Sequence, residues 1–183
     1  MKVFVDTWAL KALFDTSDSD HKAASIYRES IRKDEVEVSG FITTDFILDE
    51  TLTLVRSHAG HRESIAVLDS VRGSPFYKIL DVDGEIFEGA IEMFRKYDDK
   101  EWSFTDCTSF VLMRREGLTE AFTFDRNFEQ AGFTRVPMVA REPPESRLKP
   151  SSSAPRAPAA SPRRGTPATP RRPSRRGRIP TRS

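Results

Sequence analysis

The segment Lys2-Val3-Phe4-Val5-Asp6-Thr7 begins with an apolar run that ends abruptly on an acid. The run Ala-Phe-Thr-Phe at 121–124 ends in the same way on Asp125. Buried strands of a parallel sheet have this pattern, and ligands bind at the carboxyl ends of such strands. Asp6 and Asp125 are therefore predicted to lie at one edge of a sheet, just beyond two of its strands.

Segments with helical spacing alternate with the apolar runs, and this alternation defines the fold class. The predicted strands span 2–5, 36–42, 76–82 and 121–124, with a short fifth strand within 132–136. The predicted helices span 7–14, 18–32, 62–72, 83–97 and 104–116, and one more, containing Glu50, begins after a cap at Thr43 or Thr44. Long connections between strands imply right-handed crossovers and parallel pairing. The sequence thus predicts an α/β fold, a three-layer α/β/α sandwich with a central parallel sheet.

Two further acids stand on helical faces that are otherwise apolar. Glu50 shares its face with Phe46 and Leu54, and Asp106 leads a stripe that continues at Phe110. An unpaired buried carboxylate is costly, so an acid in such a place needs a partner. The four acids together predict a divalent-cation site, and they are Asp6, Glu50, Asp106 and Asp125.

Three of these acids also have a purely structural interpretation. Asp6 is a candidate N-cap for the helix that follows it, and Asp106 with Ser103 resembles a capping box. Asp125 is a candidate cap for a turn at 126–127. Glu50 lies in the middle of its helix and caps nothing, which favours a shared functional explanation. A haloacid-dehalogenase-type phosphatase would need Asp-x-Asp after the first strand, whereas residues 6–8 read Asp-Thr-Trp.

Four segments together resemble a known family. They are Val5-Asp6-Thr7, Thr43-Thr44-Asp45-Phe46-Ile47-Leu48-Asp49-Glu50-Thr51, Ser103-Phe104-Thr105-Asp106-Cys107 and Thr123-Phe124-Asp125-Arg126-Asn127-Phe128. In this order and over this length they resemble the PIN domain, and within it the VapC-type toxin ribonucleases of bacterial toxin–antitoxin pairs. The resemblance runs from Met1 to about Pro137. It departs from the family at Asn127, where relatives of this type often carry His or a further Asp.

The resemblance implies a Mg²⁺-dependent ribonuclease that hydrolyses RNA phosphodiester bonds, with Mn²⁺ able to substitute. All four acids are then catalytic and metal-binding, with Asp6 and Asp106 as direct ligands and Glu50 and Asp125 acting through water or on a second ion. It also implies an RNA substrate, a cognate VapB-like antitoxin and a homodimer. The alternative is a catalytically inert PIN module that serves as an RNA- or protein-binding scaffold. Such a module would be expected to have lost one or more acids, and all four remain.

Other residues are candidates for supporting roles at the site. Candidates to orient water are the hydroxyls of Thr105 and Ser109, and candidates to contact phosphate are the side chains of Lys11, Arg56, Arg95, Arg114 and Arg126.

Charge is divided unevenly along the chain. Of 29 basic and 28 acidic residues, 11 basic residues and no acid follow Glu145, which leaves a net charge of −10 before that point. A PIN-like nuclease domain is predicted for 1–137, and a disordered basic tail rich in Pro, Arg and Ser is predicted for 138–183. A bound Mg²⁺ would reverse the local sign of an acidic surface that otherwise repels RNA.

Composition also predicts the compartment. The single cysteine, Cys107, cannot form an internal disulfide, and no signal peptide pattern is visible. No apolar stretch approaches the roughly 20 residues of a membrane span. A soluble, cytoplasmic protein without a membrane segment is expected.

Overall fold

The computed structural model describes residues 1–138, and the predicted tail lies outside these residues except for Met138. The strands are β1 (Lys2–Val5), β2 (Gly40–Thr44), β3 (Tyr77–Leu80), β4 (Glu120–Phe122) and β5 (Thr134–Val136). The helices are α1 (Thr7–Phe14), α2 (His21–Arg32), α3 (Asp45–His58), α4 (His61–Gly73), α5 (Gly84–Lys96), α6 (Phe104–Arg115) and α7 (Asn127–Gln130). The strands form one parallel sheet in the order β3-β2-β1-β4-β5. No helix within residues 1–138 is both long and apolar enough to cross a membrane.

Helices cover both faces of the sheet. Val5 pairs in register with Phe122, so Phe4 points to the face opposite Phe122 because side chains alternate along a strand. Phe4 packs against Phe128 of α7, with ring centroids 6.0 Å apart. On the other face Phe122 packs against Tyr27 of α2, with centroids 4.8 Å apart. The predicted three-layer α/β/α sandwich is confirmed.

The second strand begins and ends later than predicted. It runs over Gly40–Thr44 instead of 36–42, and its last two residues, Thr43 and Thr44, are fully buried. Thr44 also caps α3, since its Oγ1 accepts from the backbone N–H of Ile47 at 3.0 Å. The β-branched side chain of threonine fits a strand, and internal hydrogen bonds satisfy its hydroxyl. The prediction ended the strand at residue 42 because Thr43 and Thr44 are polar, and this was wrong.

The fourth strand ends earlier than predicted, and a short helix follows it. Strand β4 ends at Phe122. The hydroxyl of the next residue, Thr123, donates to the carboxylate of Asp6 at 2.8 Å and accepts from the backbone N–H of Asp125 at 3.0 Å. Helix α7 was not predicted from the sequence, which indicated only a turn at 126–127.

The carboxyl ends of three strands are tied together at the edge that carries the acids. The backbone N–H of Asp6 donates to the carbonyl of Phe122 at 3.1 Å, which joins the end of β1 to the end of β4. The hydroxyl of Thr43 donates to the carbonyl of Val5 at 3.0 Å, which joins β2 to β1. This edge is therefore a rigid platform for the side chains that lie on it.

Candidate active site

The four acids predicted from the sequence come to this edge from four different elements. Asp6 directly follows β1, and Asp125 lies three residues beyond β4. Glu50 lies in the middle of α3, and Asp106 lies in the first turn of α6. Hydrogen bonds through short polar side chains connect three of the acids, and Glu50 joins the residue that follows Asp6.

Asp6 is the most deeply buried of the four, with 2% of its surface exposed. Its Oδ2 accepts from Thr123 Oγ1 at 2.8 Å and from the backbone N–H of Trp8 at 3.3 Å, so the N-cap of α1 is confirmed. Burial raises the pKa of Asp6 to about 7, the hydrogen bond from Thr123 opposes this rise, and the charge of Asp106 adds to it. A cap alone does not need such a carboxylate, since the neutral hydroxyl of Thr44 caps α3.

Asp106 also combines a cap with a place among the acids. Its Oδ2 accepts from the backbone N–H of Ser103 at 2.7 Å, and its own N–H donates to Ser103 Oγ at 3.0 Å, so the predicted capping box is confirmed. Burial raises the pKa of Asp106 above its usual value. The hydrogen bond from Ser103 opposes this shift, and the charge of Asp125 adds to it. The box therefore holds a destabilised carboxylate in one orientation.

Asn127 links two of the acids, and its role was missed at the level of the sequence. Its Nδ2 donates to Asp106 Oδ2 at 3.3 Å and to Asp125 Oδ2 at 3.2 Å. Its backbone N–H donates to Asp125 Oδ1 at 2.8 Å, which confirms that Asp125 caps the turn. A neutral amide here holds two carboxylates close together, whereas an Asp at this position would add a third negative charge. The sequence marks this position only by its place two residues after Asp125 and by the departure from the family, and neither predicts a bridge between two acids.

Glu50 reaches the site through Thr7. The hydroxyl of Thr7 donates to Glu50 Oε2 at 2.6 Å, and Thr7 is the residue that follows Asp6. Glu50 is partly buried, while its neighbour Asp49 is exposed on the same helix. The prediction that Glu50 caps nothing is confirmed, because its carboxylate accepts a hydrogen bond from the side chain of Thr7, 43 residues away, rather than from a backbone N–H in the first turn of a helix. Thr7 and Thr123 are thus two further site residues, and each lies within two positions of a predicted acid.

Basic side chains do not neutralise this acidic cluster. None of the four acids forms an ion pair within the part of the chain that the structure describes. Lys11, a candidate phosphate contact, is instead buried in ion pairs with Asp15, at 3.5 Å, and Asp18. The buried hydroxyl of Ser109 donates to the carbonyl of Thr105 at 2.9 Å, so its proton is not available to orient a water molecule.

The donor set of this edge has the chemistry that Mg²⁺ prefers. Among residues 1–138, no group of three or more His, Cys, Asp or Glu side chains is drawn together closely enough to hold a metal ion by itself. Mg²⁺ does not require such a group, because it is usually bound by one or two carboxylates and keeps several waters. Two buried carboxylates whose pKa values are raised by burial and by like charge fit a site for that ion.

Comparison with known proteins identifies the family of this chain. Residues 3–134 match the PIN domain. The chain belongs to the PIN domain family. The resemblance inferred from the four sequence segments is therefore confirmed.

Several relatives of this PIN domain have names that describe their activity. The 23S rRNA-specific endonuclease VapC20 of Mycobacterium tuberculosis is 35% identical over 134 residues, which are 73% of this chain and 97% of VapC20. Ribonuclease VapC26 of the same species is 26% identical over 124 residues, covering 68% of this chain and 87% of VapC26.

Solved structures show the same fold. The crystal structure of M. tuberculosis VapC20, a Sarcin-Ricin loop cleaving toxin, matches with a TM-score of 0.66 and 32% identity over 72% of this chain and 96% of that one. FitAcB from Neisseria gonorrhoeae matches with a TM-score of 0.50 at 15% identity, over 74% of this chain and 96% of that one, which is a likeness of fold alone.

Proposed function

We propose that this PIN domain is a metal-dependent endoribonuclease and the toxin of a VapBC-type toxin–antitoxin pair. The observation that carries the proposal is the acidic network itself. Asp6, Asp106 and Asp125 are joined by hydrogen bonds at the carboxyl edge of the sheet, and Glu50 adjoins them through Thr7. None of the four forms an ion pair among residues 1–138, and burial and like charge raise the pKa values of Asp6 and Asp106. Such an arrangement lowers the stability of the fold unless a cation binds, and a metal-binding function explains why the acids are there.

Mg²⁺, with Mn²⁺ as a substitute, is the proposed ion. When bound beside a phosphodiester it would polarise a phosphoryl oxygen, lower the pKa of the attacking water and stabilise the leaving oxygen. Asp6 and Asp106 are the proposed direct ligands, because they are the two most buried of the four predicted acids. Glu50 and Asp125 are proposed to act through water or on a second ion. The hydroxyls of Thr7 and Thr123 and the amide of Asn127 hold these carboxylates in place.

The substrate and the partners are proposed from the relatives. The names of VapC20 and VapC26 describe RNA cleavage, and the chain spans nearly the whole length of VapC20. RNA is therefore the proposed substrate, and a cognate VapB-like antitoxin and a second copy of the chain are the proposed protein partners. The cytoplasm is the proposed compartment, since RNA and the antitoxin would both be met there. A catalytically inert scaffold has no observation in its favour, because all four acids are present.

Two neighbouring acids of α3 provide a matched test of the proposal. Glu50→Gln keeps the length of the side chain and an acceptor for Thr7, but removes the charge. Cleavage of RNA in Mg²⁺ should fall about 10- to 100-fold, the usual effect of losing a group that orients a metal ligand. Asp49→Asn removes the same charge from an exposed position on the same helix and should leave cleavage unchanged. Equal activity of the two variants, with unaltered melting, would show that Glu50 has no part in the chemistry.

A further inference from the structure

A groove opens beside the acids, on the side of α1. It has a volume of about 370 Å³ and is lined by Trp8, Asp20, Phe124, Asp125 and Arg126. The groove is continuous with the acidic edge in two ways. Asp125 lines it directly, and the backbone N–H of Trp8 donates to the carboxylate of Asp6 at 3.3 Å. A molecule held in this groove would therefore lie next to the proposed reacting phosphate.

Trp8 has an environment unlike that of the other tryptophan. It is 46% exposed, and its ring contacts no other aromatic ring among residues 1–138. Trp102 is 6% exposed, and its ring packs on Tyr97 and Phe110 at 4.9 and 5.1 Å. A large exposed indole that lines a groove is a surface on which a nucleobase can stack, because every base has a π-face.

Phe124 supplies a second, fixed aromatic wall. Its ring lies 6.1 Å from that of Phe122 in the core, in an edge-to-face arrangement. Its backbone carbonyl accepts from Arg135 Nη1 at 3.2 Å, which anchors the segment between β4 and α7. The wall is therefore formed before a ligand arrives, and little ordering is needed on binding.

Arg126 gives the groove a positive group within an acidic domain. Its side chain is exposed and forms no ion pair in the described part of the chain. Guanidinium groups bind phosphate oxygens through paired hydrogen bonds and also stack on bases. An indole, a phenyl ring and a guanidinium around one groove match the two chemical parts of a nucleotide, its base and its phosphate.

We propose that this groove binds one nucleotide of the RNA substrate, adjacent to the phosphate that is cut, with its base on Trp8 and its phosphate near Arg126. This inference rests on the proposed ribonuclease function and adds a base-binding subsite to it. An RNA occupant is favoured over a protein one because the groove shares Asp125 with the acidic edge, and a strand that places its phosphate at that edge must pass its next nucleotide along the surface beside it.

Tryptophan fluorescence can test the subsite without cleavage. The full-length protein carrying Asp106→Asn, which prevents turnover, would be titrated with a short single-stranded RNA of mixed sequence. The chain has two tryptophans and one of them is buried, so quenching on binding reports stacking at Trp8. Adding Trp8→Leu should abolish the quenching and weaken RNA binding by about 5- to 150-fold, the loss expected for one stacked base. Trp8→Phe should recover part of the affinity, because it restores an aromatic face.

Phe94→Leu is the matched control, since Phe94 is an aromatic residue of similar exposure, 51%, on α5 and does not line the groove. It should change neither the quenching nor the affinity. Unchanged RNA affinity in Trp8→Leu would overturn the proposal, and if binding of the cognate antitoxin weakened instead, the groove would belong to a protein partner. The two proposals can fail separately. If the wild-type protein cleaves RNA but Trp8→Leu leaves RNA affinity unchanged, only the subsite is rejected. If RNA binding depends on Trp8 but the wild-type protein cleaves no RNA, only the nuclease function is rejected.

Discussion

Asp6→Asn should make the metal-free protein more stable while it abolishes the proposed activity. The substitution keeps an acceptor for Thr123 and for the backbone N–H of Trp8, and Asn is as good an N-cap as Asp. What it removes is a buried negative charge. Each pKa unit corresponds to about 1.4 kcal/mol, so the rise in the pKa of Asp6 from 3.8 to about 7 sets an upper limit of about 4 kcal/mol on the gain. A measured gain of about 1–3 kcal/mol is expected after relaxation around the site.

The gain should depend on pH in a defined direction. The pKa of Asp6 is higher in the folded than in the unfolded state, so the folded state binds this proton more tightly. The wild-type protein therefore gains stability from this group as the pH falls from above 7 toward 4. The advantage of Asp6→Asn should be largest at pH 8 and should disappear near pH 4. Urea denaturation of the full-length proteins in chelator, at several pH values, measures it.

Asp83→Asn is the matched control, because Asp83 is also an N-cap but an exposed one. Its side chain accepts from the backbone N–H of Ile86 at 3.0 Å, and this bond, with the charge of Arg115, lowers the pKa of Asp83. Its substitution should therefore cost stability at pH 8. If Asp6→Asn lowered the free energy of unfolding at pH 8, as Asp83→Asn should, or left it unchanged, Asp6 would be an ordinary cap. The acidic site would then not destabilise the metal-free protein.

Three further predictions concern the site and the tail. Asp106→Asn keeps the capping box and removes a buried charge, so the variant should melt no lower than the wild type, while RNA cleavage falls on the order of 100-fold or more because a metal ligand is lost; near-wild-type cleavage would reassign Asp106 to the box alone. Asn127→Ala removes the donor shared by Asp106 and Asp125, and should raise the Mg²⁺ concentration needed for half-maximal cleavage about 10-fold or more. Deleting residues 146–183 removes 11 positive charges and should leave melting unchanged but flatten the salt dependence of RNA binding, by a slope of about 0.7 for each lost phosphate contact.

The sequence predicts the centre of the sheet well because β1, β2 and β4 are largely buried. The apolar run that ends on Asp6 has no other reasonable structure, and β1 has the predicted bounds. Errors arise where polar residues are buried with internal partners. Thr43 and Thr44 belong to β2 although they are polar, and the hydroxyl of Thr123, just beyond β4, donates to Asp6. A hydroxyl satisfied by a distant partner cannot be distinguished from an exposed one in the sequence.

The acids of the site can be recognised in the sequence, whereas the residue that holds two of them together cannot. Glu50 is a charged residue on a helical face that is otherwise apolar, and this unusual position can be recognised in the sequence. Asn127 contradicts nothing, since a short polar residue after a turn is ordinary. Its function depends on Asp106, 21 residues away, and appears only when α6 and α7 are placed side by side. The caps formed by Asp6 and Asp106 were predicted as alternatives to a site, and the structure shows caps and acidic cluster together.

We propose that these acids form a metal-dependent centre for RNA cleavage, and a Mg²⁺ titration of the metal-free protein is the sharpest test of that proposal. Full-length protein freed of metal by chelator would be mixed with RNA, and the rate of cleavage would be followed as Mg²⁺ is added. We expect no cleavage without the ion and a saturable return of activity with Mg²⁺ or Mn²⁺. Undiminished cleavage in excess chelator would contradict it, as would the absence of cleavage at every ion concentration.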